Sequence, residues 1–148
     1  MSEPHPSHRS SGTLVAVALG GALGTLARYG LDRALPAPST HFPTATLIIN
    51  LSGSLLIGFL LPVALALAER RPLLRPFAVT GILGGWTTYS ALATNAATLV
   101  KLHHAGLAAG DLGATLIGGF VLVTLGFYAS PAHRSVRFRA TPTSGGGQ

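Results

Sequence analysis

The sequence predicts an all-α integral membrane protein with four transmembrane helices, the third of them broken. Three observations lead there. Of 148 residues, 48% are hydrophobic and 9% are charged, with mean hydropathy +0.50; a soluble domain carries about 25% charged residues to cover its surface. Four apolar stretches fall at 13–31, 44–68, 77–100 and 112–130, each close to the roughly 20 residues that cross a bilayer core. The third contains Gly84-Gly85-Trp86-Thr87-Thr88, and glycine and threonine are poor material for a straight helix.

Each segment has its own reason. Residues 1–12 are polar and Pro/Ser-rich, a composition expected to stay disordered. The first apolar stretch is too long for the core of a signal peptide, carries Arg28 near its end and precedes three more spans, so it reads as a span. Pro36, Pro38 and Pro43 fill the first gap, Arg70, Arg71, Pro72, Arg75 and Pro76 the second, and Lys101 to Asp111 the third. The tail 131–148 is basic and ends in TPTSGGGQ, a flexible composition. Within the spans, Gly20 and Gly24, Ser54 and Gly58, and Gly81 and Gly85 form small-xxx-small pairs. That spacing puts two small residues on one helix face and lets backbones approach closely. Four spans are few for enclosing a pathway, so a transport function favours an oligomer.

Composition also excludes classes of function. Cysteine is absent, which removes disulfide frameworks and thiolate metal sites. The four acids, Glu3, Asp32, Glu69 and Asp111, fall at or beyond the ends of apolar runs. That argues against a two-carboxylate hydrolase or a pump with a buried acid. His41, His103 and His104 lie in loops with no nucleophile–base–acid set, so no enzyme is expected. The net charge of +6 is scattered through loops and tails rather than gathered in a nucleic-acid patch. Arg9, Arg70, Arg71, Arg75, Arg134, Arg137 and Arg139 share one side of the membrane; Arg28, Arg33 and Lys101 are the most the other side holds. The positive-inside rule then places both termini in the cytoplasm.

Few polar residues lie inside the spans, and each has two readings. Asn50 is either an interhelical hydrogen bond or a donor lining an anion path. Arg28 either snorkels to the interface or neutralises helix-end carbonyls and gathers anions at a vestibule. Gly81 to Ser90 is either a kinked helix or a break whose carbonyls ligate a cation. The hydroxyls of Thr88 and Ser90 and the ring edges of Trp86 and Tyr89 then face a small anion.

At these residues the chain resembles the Fluc/CrcB family of small bacterial fluoride channels, along most of 14–130. Gly20-Gly21-Ala22-Leu23-Gly24 with Arg28-Tyr29 resembles the first-helix glycine run and arginine of that family. Phe42 to Asn50, continuing to Gly53, Ser54 and Gly58, resembles its second helix, and Gly81 to Ser90 resembles its signature GxxGGxTTFS. The resemblance implies an antiparallel dimer in the bacterial plasma membrane that exports cytoplasmic fluoride passively. It implies a structural Na+ at the dimer centre on the backbone carbonyls of Gly84 and Thr87. It also implies a fluoride pathway at Asn50, Thr88, Tyr89 and Ser90, with Arg28 at a vestibule or in a structural role.

The chain departs from the family pattern where Tyr89 and Leu92 replace phenylalanines, where Asn95 replaces a common glutamate, and at Ala114 and Gly118 in the fourth helix. An antiparallel homodimer needs one sequence to insert both ways, and the Lys/Arg bias is unbalanced. The expectation is therefore a heterodimer with an oppositely oriented paralogue. The alternatives are a non-conducting partner subunit of such a channel and a small four-span drug exporter. The exporter requires a membrane glutamate in the first span, and 13–31 holds no acid.

Overall fold

The computed structural model describes residues 7–134, with side chains described from residue 11 onward. Every regular element among them is helical: α1 Ser7–Ala34, α2 Thr44–Ala66, a π-helix Arg75–Leu83, α3 Gly84–Trp86, α4 Tyr89–Lys101 and α5 Ala105–Ala129. Two boundaries differ from expectation. Residues 7–12, expected to be disordered, form the first turns of α1, where no proline interrupts the chain. The rest of that leader, 1–6, and the tail 135–148 lie outside the described residues. At the other end of the bundle α5 starts at Ala105, seven residues before the apolar run. Ala105, Ala108 and Ala109 are strong helix formers and carry the helix through the turn.

The earlier start of α5 corrects the placement of its acid. Asp111 does not lie beyond the span but in the second turn of the helix, with no exposed surface. Neither of its carboxyl oxygens has a hydrogen-bond partner among the described residues, and the Thr115 hydroxyl one turn on has none either.

Two seams hold the helices together, and glycine makes both. A Cβ on Gly20 would strike the carbonyl oxygen of Phe77, and one on Gly24 the carbonyl oxygen of Ile82. From the other side, a Cβ on Gly81 would lie 2.9 Å from the Gly20 Cα, and one on Gly85 would strike the Gly21 carbonyl oxygen. Thus α1 lies backbone to backbone against the π-helix, a spacing that only small residues permit. The second seam joins α2 and α5, where Gly58 meets the Val123 carbonyl and Gly126 the Leu55 carbonyl. Ser54 faces the same seam, its Oγ 3.2 Å from where a Gly119 Cβ would stand. All three small-residue pairs are therefore consumed within one subunit. Pro62 inside α2 removes one ladder bond, a loss tolerated in a packed span.

The buried core is thin: Ile49, Leu83, Leu92, Leu99 and five alanines. Outside it, Leu14, Leu19, Leu23 and Leu26 of α1 and Leu116, Ile117, Phe120 and Leu125 of α5 are exposed. Three helices are long and apolar enough to cross a membrane, Ser11–Ala34, Thr44–Ala66 and Ala105–Ala129, and only 6% of the apolar window of the last is buried. An apolar surface of this extent belongs in lipid or against another membrane subunit, and the chain is a multi-pass membrane protein. The remaining apolar stretch is divided among the π-helix, α3 and α4, each too short to cross alone.

Candidate ion site at the Thr87–Thr88 break

The site begins with a failure of helix. Leu83 and Gly84 have helical backbone, but Thr87 is extended at φ −72°, ψ 154°, and Thr88 at φ −148°, ψ 115°. Helix resumes at Tyr89, and the Thr88 hydroxyl caps it by accepting from Ala91 N at 3.1 Å. On the other side of the interruption the Thr87 hydroxyl donates to the Leu83 carbonyl at 2.9 Å. The two threonines therefore satisfy one helix end each, which is why a Thr-Thr pair follows the glycines.

Asn50 of α2 holds the break. Its Nδ2 donates to the Thr88 carbonyl at 3.1 Å, and its Oδ1 accepts from the Thr88 N–H at 2.9 Å. In an uninterrupted α-helix that N–H would bond to the Gly84 carbonyl. The asparagine amide takes its place, and both partners are buried. The neighbours of Asn50 on α2 brace the same region. Trp86 Nε1 donates to Ser52 Oγ at 2.9 Å, and Ser54 Oγ donates to the Asn50 carbonyl at 2.9 Å. A Cβ on Gly53 would collide with the Thr87 methyl group, so α2 approaches the break through a glycine.

The expected residues do not all converge. Thr88 and Ser90 line an open groove of about 430 Å³ together with Thr25, Arg28, Tyr29, Asp32, Ala91, Thr94 and Asn95. The Thr88 and Ser90 hydroxyls lie 3.1 Å apart. Arg28 is half-buried there rather than at the helix end. Asn50 is not in the groove; it stands behind it, joined to Thr88. Tyr89 is 83% exposed and points out of the subunit, whereas Leu92 is buried in the core. Gly84 is exposed, with nothing within 4 Å of the position a Cβ would take, and Thr87 is half-buried. The residues not singled out from sequence are Thr25, Asp32 and Thr94. Their signal was helical spacing: Thr25, Arg28 and Asp32 fall at i, i+3 and i+7, and Ser90 and Thr94 at i and i+4.

A groove with one guanidinium, several hydroxyls and a side-chain amide offers donors to an anion. Beside it, an interrupted helix offers carbonyls to a cation. Comparison with known proteins agrees with an ion-handling role. A family model described as "CrcB-like protein, Camphor Resistance (CrcB)" matches residues 15–127. The chain is 42% identical over 111 residues to "Fluoride-specific ion channel FluC 2" of Thermobifida fusca, covering 75% of this chain and 82% of that protein. It is 43% identical over 117 residues to "Fluoride-specific ion channel FluC 1" of Lactiplantibacillus plantarum, covering 76% of this chain and 97% of that protein. With "Fluoride-specific ion channel FluC" of Chlorobium luteolum the identity is 38% over 118 residues, 80% and 92% of the two chains. On a match that spans all three helices long enough to cross a membrane and the break between them, the chain belongs to the CrcB family, a family of ion channels and not of enzymes.

Proposed function

We propose that the chain is one subunit of a fluoride-specific channel that lets cytoplasmic fluoride leave passively through the plasma membrane. The observation that carries this is the two-way bond between Asn50 and Thr88. It uses a buried side chain to keep a helix open in a membrane, where an unpaired backbone group costs several kcal/mol. Such a cost is sustained where the freed groups serve an ion.

The Gly84 and Thr87 carbonyls would hold a structural Na+ at the contact with a second, antiparallel subunit. The fit rests on the donor set and the exposure. Carbonyl oxygens suit hard cations, the Thr88 N–H is turned away from Gly84, and Gly84 is open on its outer face. Bound there, Na+ supplies a fixed positive charge at the subunit contact. The chain's own residues do the rest. Arg28 raises the local anion concentration in the groove. Thr88 and Ser90 present hydroxyls that replace water around fluoride, which needs close donors to give up its hydration. Tyr89 projects from the subunit and reaches the partner.

The burial of Leu92 favours a second subunit of different sequence. On α4 this chain offers one exposed aromatic, Tyr89, and turns the next residue of that face into its own core. The unequal Lys/Arg distribution gives the same answer, with both termini cytoplasmic. The reading in which this subunit only supports a conducting partner rests on that same burial.

The test is fluoride efflux from liposomes, followed with a fluoride electrode. The chain reconstituted with a four-span paralogue of opposite charge bias is expected to release fluoride, less so when a large organic cation replaces Na+. The chain alone is expected to be silent. Sodium-dependent efflux from the chain alone would remove the obligate partner. No efflux in either preparation would remove the channel.

A further inference from the structure

Beyond the break, α4 carries a polar stripe that the account above does not use: Ser90, Thr94, Asn95 and Thr98. Two separate openings lie along it. The groove of about 430 Å³ takes in Arg28, Thr88, Ser90, Thr94 and Asn95. A second pocket of about 290 Å³ lies under the α1–α2 loop and takes in Ser39, His41, Asn95 and Thr98. Asn95 lines both. Its Nδ2 donates to the Thr46 hydroxyl of α2 at 3.0 Å, a bond that uses one of its two amide hydrogens and ties the wall between the openings to α2. From Thr88 to Thr98 the helix rises about 15 Å, roughly half the hydrocarbon core.

We propose that this stripe is the half-pathway by which a small hydrated anion moves between the break and the membrane face formed by the α1–α2 and α4–α5 loops, with the Asn95–Thr46 pair as its constriction. The proposal rests on the channel reading and names the part of the route that reading leaves open. The charge pattern decides for an anion. Arg28 stands at the inner opening with Asp32 beyond it toward the helix end, and α4 bears no carboxylate along its length. Asp111 is enclosed and lines neither opening. A neutral amide at the narrow point supplies donors without repelling the ion, and a carboxylate there would oppose it.

The experiment is fluoride efflux from liposomes holding the chain with its paralogue, comparing wild type with Asn95→Asp, Asn95→Leu and Thr98→Asp. Ala97→Leu is the control: it adds bulk at an exposed position of α4 that lines neither opening. The Asp variants and Asn95→Leu are expected to lose about tenfold or more in flux, the effect of a nearby like charge or a plug. Ala97→Leu is expected to stay within about twofold. Size-exclusion elution of each variant checks assembly, and Thr98→Asp reads the same electrostatic block from a half-buried position if the Asn95 variants fail to assemble. Unchanged flux in correctly assembled Asn95→Asp or Thr98→Asp, with wild type conducting, overturns this pathway and leaves the channel standing. A silent wild type overturns both.

Discussion

At Asn50 two readings were open from sequence, an interhelical hydrogen bond or a donor lining an anion path. The structure gives the bond, but to backbone rather than to another side chain. Asn50→Ala would leave the buried N–H and carbonyl of Thr88 without partners, a cost of about 2–4 kcal/mol. The expected result is a lower melting temperature in detergent and loss of fluoride flux. Asn50→Gln should not rescue it, because one more methylene moves the amide off both groups. Asp111 predicts the opposite sign. A carboxyl with no surface and no partner costs more to enclose than a neutral amide, so Asp111→Asn is expected to raise the melting temperature by a few degrees. A fall on this substitution would show that the carboxyl has a partner the subunit alone does not contain. Sequence reading missed this residue because it judged the acid by the edge of the apolar run. Helix propensity, which depends on the alanines before it, sets the true boundary.

Among the elements, the first two apolar stretches and the fourth were legible as helices because length and hydropathy alone decide them. The interruption at Thr87–Thr88 was legible in type, since Gly-Gly and Thr-Thr weaken a helix locally. The π-helix before it was not. Its wide turn depends on the α1 glycines that let a second backbone approach, and no period in Arg75–Leu83 announces that contact. The glycine seams sort substitutions cleanly. Gly24→Ala would drive a methyl group into the Ile82 carbonyl and is expected to reduce the yield of folded, monodisperse protein. Gly30→Ala, six residues along the same helix, meets nothing within 4 Å. It should instead stabilise by about 0.5–1 kcal/mol through helix propensity, read as a higher melting temperature. If the two changes behaved alike, α1 would not pack on the π-helix as described.

For the whole molecule, the sequence carried the membrane class and the family, while the polar stripe of α4 became visible only once the helices were placed together. Orientation remains a matter of charge. Seven Lys/Arg residues against three at most predict that fusions at either terminus report a cytoplasmic location. Replacing Arg70, Arg71 and Arg75 by alanine while adding lysines between Pro36 and Pro43 is expected to produce a mixed or inverted population. Reporter fusions whose location did not shift would assign orientation to something other than loop charge.

The amide that substitutes for a turn of helix has a mechanical corollary. Turning α2 about its axis by one residue, roughly 100°, would withdraw the asparagine and let Thr88 rejoin the ladder, closing off the carbonyls. Rotation of α2 and occupancy of the cation site are thus linked equilibria, so whatever fills the site must also stiffen a helix that does not touch it. Amide hydrogen exchange along α2 should therefore slow when Na+ replaces a large organic cation in the medium.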